Sequence, residues 1–165
     1  MLETPVGPTL PDVELPSIAI SPIDQNTIFV GTRFDGLFRS VNGGTDFTQL
    51  QTGLTNDSIS SIVIAPDNAQ TVWVSTRGGV FRSTDGGDTF SSRNTGINDP
   101  LINVLVMDPD DSQILFAGSQ NQGVFRTTNG GETWRRRDNG LRPDNITGIA
   151  ISVLDSDLLI AVSPG

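Results

Sequence analysis

The feature that most constrains this chain is an internal repeat. A Gly-Gly pair preceded by Asn or Asp begins at Gly43, Gly86 and Gly130, and a second anchor recurs at Pro22, Pro66, Pro109 and Val153. Both series step by 43 or 44 residues, and every Gly-Gly pair starts 23 residues before the next anchor. A fixed period of this length means that one supersecondary unit is copied along the chain, each copy burying its apolar faces against its neighbours.

Each copy contains four short runs. In the second they are Ile59 to Ala65, Thr71 to Thr76, Val80 to Ser83 and Thr89 to Arg93, divided by Pro66-Asp67-Asn68, Arg77-Gly78-Gly79 and Thr84-Asp85-Gly86-Gly87. The runs are rich in Val, Ile, Phe, Ser and Thr, and the breaks in Gly, Asp and Asn, which is the signature of strands and tight turns. No segment sustains a 3.6-residue apolar period, so no helix is expected. Four antiparallel strands in 43–44 residues make one blade of a β-propeller. The first strand is apolar on both faces in every copy (Ile18-Ala19-Ile20, Ile62-Val63-Ile64, Val104-Leu105-Val106, Ile149-Ala150-Ile151), as a strand packed between two blades must be. The last strand is polar, which discourages edge-to-edge pairing. The expected fold class is all-β, a β-propeller fragment of about 3.5 four-stranded blades. Residues 1–16 read as an N-terminal extension, 17–57, 58–100 and 101–144 as three repeats, and 145–165 as a half repeat with the first two strands only.

Composition removes several chemistries. The chain has no Cys, His, Tyr or Lys, so all ten of its basic residues are Arg. Without Cys and His it lacks the usual ligands of structural zinc and the commonest general base. No cofactor and no metal site is expected, and the Asp108, Asp110, Asp111 cluster lacks the spacing of an EF-hand loop. A net charge of −9 repels phosphate backbones, so nucleic acid is not an expected partner. No apolar run reaches the ~18 residues of a membrane helix, and Met1 to Pro5 shows neither the basic flank nor the apolar stretch of a secretory signal. The cellular compartment is not legible.

The turns between third and fourth strands read Ser40-Val41-Asn42-Gly43-Gly44-Thr45-Asp46-Phe47, Ser83-Thr84-Asp85-Gly86-Gly87-Asp88-Thr89-Phe90 and Thr127-Thr128-Asn129-Gly130-Gly131-Glu132-Thr133-Trp134. They resemble the Asp-box, or BNR repeat, with its pattern Ser/Thr-x-Asp-x-Gly-x-x-Trp/Phe. The Gly-Val-Phe-Arg-Ser run at Gly79 to Ser83 is similar to the subset found in sortilin-like, photosystem II assembly-factor and xyloglucanase-like propellers. The resemblance implies that Ser40, Asn42, Gly44, Phe47, Ser83, Asp85, Gly87, Phe90, Thr127, Asn129, Gly131 and Trp134 are structural. It also implies peptide or protein binding, as in the assembly-factor and sortilin-like groups. Sialidases share the box, and likeness to them would imply a Tyr nucleophile, which the absence of Tyr excludes. Xyloglucanase-like activity needs two carboxylates facing across a cleft. Here Asp57, Asp99 and Asp144, and Asp24, Asp111 and Asp155, recur with the repeat, which argues for turn chemistry.

A site should break the repeat. The loops between second and third strands do so, with Arg33, Phe34 and Asp35 in the first, Arg77 in the second, and Gln120, Asn121 and Gln122 in the third. These are the candidate binding residues, displayed as variable loops on a rigid scaffold. No catalytic residue is expected. The half repeat reaches Ser163-Pro164-Gly165 without its third and fourth strands. An open arc leaves an apolar face at each end. A face of roughly 500 Å² left wet forfeits on the order of 12 kcal/mol, comparable to a typical domain stability of ~5–15 kcal/mol. The expectation is a homodimer through the open blade faces, or an excerpt of a longer chain. The functional expectation is a non-catalytic scaffold or protein- or peptide-binding module that self-associates to complete its ring. The alternatives are a carbohydrate-binding or glycoside-hydrolase-like propeller, and an engineered or evolutionary fragment without a ligand.

Overall fold

A computed structural model describes residue 10 and residues 14–137, 145–152 and 159–164. The described residues contain no helix and form four antiparallel sheets in chain order. The first is β1 (Ser17–Ile20), β2 (Ile28–Gly31), β3 (Leu37–Ser40) and β4 (Thr48–Leu50). The second is β5 (Ile59–Ile64), β6 (Val72–Thr76), β7 (Gly79–Ser83) and β8 (Ser91–Ser92). The third is β9 (Ile102–Met107), β10 (Leu115–Ser119), β11 (Val124–Thr127) and β12 (Arg135–Arg136). The fourth has two strands, β13 (Gly148–Ile151) and β14 (Leu159–Val162). Each sheet is an up-and-down meander, and the inner strands β1, β5, β9 and β13 each touch the next. The molecule is an all-β partial propeller. Val153 and Asp155, Asp144 and most of the extension lie outside the described residues.

The turns hold themselves. In each of the three complete blades the first-position hydroxyl of the Gly-Gly turn donates to the third-position side chain and accepts the N–H of the second Gly. In the second blade, Ser83 Oγ donates to Asp85 Oδ1 (2.7 Å) and accepts from Gly87 N (2.8 Å), and Asp85 Oδ1 accepts from Thr89 N (2.9 Å). Asn42 and Asn129 take the same bonds with neutral amide oxygens, from Asp46 N and Thr133 N. Asn and Asp are interchangeable here because the bond needs an acceptor oxygen rather than a charge.

The outer strand of the second blade is shorter than its sequence suggests, two residues instead of Thr89 to Arg93. Thr89 is held by Asp85, and the Phe90 N–H donates across the blade boundary to Thr52 O (2.9 Å). Trp134 N makes the same step to Thr95 O (2.8 Å). In the half blade, strand β13 begins at Gly148, and before it Ile146 N donates to Ser119 O of the preceding blade (2.9 Å).

Apolar packing lies between blades. One cluster of ten buried residues joins Phe29, Leu37 and Leu50 of the first blade to Ile62, Ile64, Phe81 and Phe90 of the second. A second cluster of ten joins Trp73 and Val80 to Leu105, Met107, Phe125 and Trp134. Between the third and fourth sheets the cluster has three buried members among the described residues, Phe116, Val124 and Ile146. At the two ends, equivalent positions change environment. Ile62 and Ile64 are 7% and 8% exposed, whereas their register equivalents in β1, Ile18 and Ile20, are 68% and 57% exposed. Trp73 is fully buried, whereas Ile160, at the same position of β14, is 62% exposed.

Candidate functional site

The site lies at one end of the inner strands, where two register positions converge from three blades. Eleven residues past each anchor stand Arg33, Arg77 and Gln120, in the loops that follow β2, β6 and β10. Six residues before each anchor stand Pro16, Ser60 and Asn103, at the start of the inner strands. All six line one cavity of about 220 Å³, together with Glu14, Ser58 and Leu101. A neighbouring cavity of about 360 Å³ is lined by Arg33, Phe34, Asn56, Asp57, Ser58 and Arg77. Arg33 and Arg77 therefore border both.

Local geometry explains the loops. Thr32 N and Oγ1 both donate to Gly36 O, and Asp35 N donates to Thr32 Oγ1 (2.8 Å). This closes a tight loop that pushes Arg33 and Phe34 outward. Arg33 pairs with Glu14 and stacks over Phe34, its guanidinium carbon 5.4 Å from the ring centroid. Phe34 is 72% exposed, an uncommon position for a large ring. Arg77 stands on the Gly78 turn, exposed, with no carboxylate at ion-pair distance among the described residues. Asn103 Nδ2 donates to Asn145 Oδ1 (3.0 Å) and Ile146 O (2.9 Å). The cavity wall thus mixes guanidinium, hydroxyl, amide and carboxylate groups with four apolar residues, Pro16, Ile59, Leu101 and Ile102. Arg33 is already paired with Glu14 there, whereas the Arg77 guanidinium is exposed.

Among the loop residues singled out by sequence, the structure brings Arg33, Arg77 and Gln120 together and sets Phe34 beside them. Asp35, Asn121 and Gln122 do not line either cavity. Asp35 O accepts from Gln49 Nε2 (2.7 Å) of the outer strand. Asn121 N donates to Asp99 Oδ2 (3.1 Å) and Gln122 N to Ser119 Oγ (2.7 Å). Sequence reasoning missed Pro16, Ser60 and Asn103, although their fixed offset from the anchor carried the signal. Glu14 had no such signal.

The other clusters are turns. Asp24 Oδ1 and Oδ2 accept from Asn26 N and Thr27 Oγ1, and these bonds, the backbone one foremost, hold its pKa below the ordinary value. Asp108 is buried and accepts from Asp110 N and Asp111 N. Among the described residues no group of three carboxylates is placed to hold a metal ion. Trp73 and Trp134 are buried and offer no open ring face to a sugar. Arg39, Arg82 and Arg126 recur in the third strands. Arg39 reaches Gly86 O (2.6 Å) and Asp88 (2.8 Å) of the next blade, whereas Arg82 and Arg126 stack over Trp73 and Phe116.

No protein-family model and no curated protein matches the chain. Solved structures do. An ancestral GH74 enzyme is 28% identical with a TM-score of 0.67, over 85% of this chain and 21% of its own. The GH74 xyloglucanase from Xanthomonas campestris is 18% identical with a TM-score of 0.72, over 86% of this chain and 25% of its own. YCF48 from Cyanidioschyzon merolae is 19% identical with a TM-score of 0.62, over 84% of this chain and 45% of its own. YCF48 bound to a D1 peptide is 16% identical with a TM-score of 0.59, over 74% of this chain and 40% of its own. The fold thus defines the class, a β-propeller arc. The chain spans 21–45% of the length of these neighbours, which include both glycoside hydrolases and a peptide-bound protein.

Proposed function

We propose that the chain is a non-catalytic propeller module that binds a carboxylate-bearing peptide or protein segment at this site and completes its ring with a second copy of itself. The carrying observation is the convergence of Arg33, Arg77 and Gln120, three loop residues that break the repeat, on one cavity. Two guanidinium groups on one wall suit a carboxylate in bidentate fashion. The exposed Phe34 ring beside them supplies an apolar contact of the kind that anchors peptide side chains. YCF48 bound to a D1 peptide provides a precedent for peptide recognition on this fold.

The test is fluorescence anisotropy with a fluorescein-labelled acidic decapeptide. The Arg33→Ala, Arg77→Ala double variant should bind about ten-fold or more weakly, since a charged hydrogen bond contributes ~1.5–3 kcal/mol. Equal binding by the variant rejects this location. The glycoside-hydrolase reading draws on the 28% identity to a GH74 enzyme. It has two carboxylates to call on, Glu14 in one cavity and Asp57 in the other. Turnover of a xyloglucan oligosaccharide that is abolished by Glu14→Gln or Asp57→Asn would replace the binding reading with the enzymatic one.

A further inference from the structure

The outer rim of the third blade carries a charge that the other blades do not. Register places Arg135, Arg136 and Arg137 where the second blade has Ser91, Ser92 and Arg93 and the first has Thr48, Gln49 and Leu50. Three of the chain's ten basic residues thus stand side by side in a protein of net charge −9. Pairing sharpens the contrast. Arg135 lies directly opposite Arg126, whereas the equivalent pairs are Arg82 with Ser91 and Arg39 with Thr48. Like charges directly opposed across strands destabilise a sheet. Protection of the edge does not need three arginines, since the second blade has Arg93 alone at these positions and the first has none.

These arginines line a cavity of about 560 Å³ together with Thr128, Asn129 and Thr133 of the adjoining Gly-Gly turn. Arg126, which also borders it, and Arg136 are engaged in contacts of their own. The charge open to a ligand is that of Arg135 and Arg137, both exposed and without a carboxylate at ion-pair distance among the described residues. Arg137 N donates to Val124 O (2.7 Å), so the ladder runs on past β12, and Arg135 and Arg137, two apart, project to one face. The turn adds a hydroxyl donor. In the second blade Thr89 Oγ1 donates to Asp85 Oδ2 (2.6 Å), which uses its hydrogen. In the third, Asn129 Oδ1 accepts from Thr133 N (3.0 Å), which fixes Nδ2 as the group that donates to Thr133 Oγ1 (3.0 Å). The side-chain bond is reversed, and the hydroxyl hydrogen of the exposed Thr133 is left to donate outward. Asn129 also removes the carboxylate charge that Asp85 keeps at this position.

The exposure of these positions does not depend on what stands beside the third blade. A complete blade follows the second, yet Thr84, Thr89, Ser91 and Ser92, the equivalents of Thr128, Thr133, Arg135 and Arg136, are exposed there. Arg93, the equivalent of Arg137, keeps 31% of its side chain open. We propose that the rim of the third blade binds a tetrahedral oxyanion, a phosphate or sulfate group, between Arg135 and Arg137 with the Thr133 hydroxyl as a third donor. Two guanidinium groups match the charge of a dianion, and their N–H forks fit its oxygens. The site shares no residue with the two cavities bordered by Arg33 and Arg77.

The experiment titrates the full chain with inorganic phosphate, sulfate, methyl phosphate and acetate at fixed ionic strength, read by isothermal calorimetry and by the arginine Nε–Hε resonances. Phosphate and sulfate should shift the Arg135 and Arg137 resonances and bind about ten-fold or more tightly than acetate. Methyl phosphate binding as tightly as phosphate assigns the site to an ester group of a larger molecule, and weaker binding assigns it to the free anion. Arg135→Ser should weaken phosphate binding about ten-fold or more. Asn129→Asp should weaken it as much, by adding a charge and taking up the Thr133 hydroxyl, while the urea midpoint holds, because Asp85 makes the same turn bonds in the second blade. Acetate binding as tightly as phosphate, shifts that leave Arg135 unmoved, or affinity unchanged in both variants would overturn the proposal and leave the three arginines as edge protection alone.

Discussion

A single oxygen acceptor organises each Gly-Gly turn, and only the second blade uses a charged one. Hydrogen bonds from Thr89 and Ser83 hold the Asp85 carboxyl down, from 3.8 to about 2. The folded form therefore releases the proton more readily than the unfolded form. The resulting stability is present above pH 3.8 and is lost as pH falls through about 2. Asp85→Asn should keep the turn, since Asn42 and Asn129 make the equivalent bonds, and should flatten the loss of stability over that interval. Urea midpoints at pH 5, 3.5 and 2 check this, and equal slopes in both proteins would refute it. Gly53 is a second sensitive residue. Its φ is +87°, and an added β-carbon would lie 1.9 Å from Phe90 O, a backbone atom fixed by the inter-blade bond from Phe90 N. Gly53→Ala should cost about 2–4 kcal/mol in denaturant titrations, combining backbone strain with a displaced blade contact.

At the scale of elements, stability resides between blades more than within them. Trp73 is fully buried where the second blade meets the third, and Gly131 lies against its ring. Trp73→Ala should cost about 3–5 kcal/mol. Trp73→Phe should cost under ~1.5 kcal/mol, because Phe29 and Phe116 fill the same position in adjacent blades. Chemical denaturation of the pair tests whether register predicts tolerance. The same scale shows what the sequence could reveal. Turns were legible because their bonds join residues within four positions, as Ser83, Asp85, Gly87 and Thr89 do. Outer strands were overextended because the competitor for the Phe90 amide, Thr52 O, comes from another blade and leaves no local trace. The loop arginines were legible as breaks in the repeat. Ser60 falls within the strand run Ile59 to Ala65, and Asn103 stands at the same offset from its anchor, so the pair passes as strand register rather than as a site. Asn121 and Gln122 lie away from the cavity, their backbone amides donating to Asp99 and Ser119.

The whole molecule is an arc whose two ends match. Within the chain, the Phe29 face of one blade receives Ile62 and Ile64 of the next. The trailing face of β14 offers Ile160 and Val162, 62% and 54% exposed, and the leading face of β1 offers Ile18 and Ile20 in the register of Ile62 and Ile64. A joint between the Ile160 face of one copy and the Ile18 face of another would reproduce a contact already made inside the chain. Such a joint is head-to-tail, so it must either close or polymerise. Two copies supply six complete and two half blades, which falls within the ~4–8 positions of known rings, so closure at two is the proposed outcome. Light scattering on a sizing column should then give twice 17.6 kDa. Replacing Ile18 and Ile20 by Asp should return the chain to 17.6 kDa, because each buried carboxylate would lack a partner. A mass that stays at one chain across a dilution series rejects ring closure. A dimer untouched by the double substitution places the joint elsewhere. If the dimer forms as proposed, the Arg33 and Arg77 wall occurs twice around one shared channel, and a ligand with two carboxylate ends should bind far more tightly to the dimer than one with a single end.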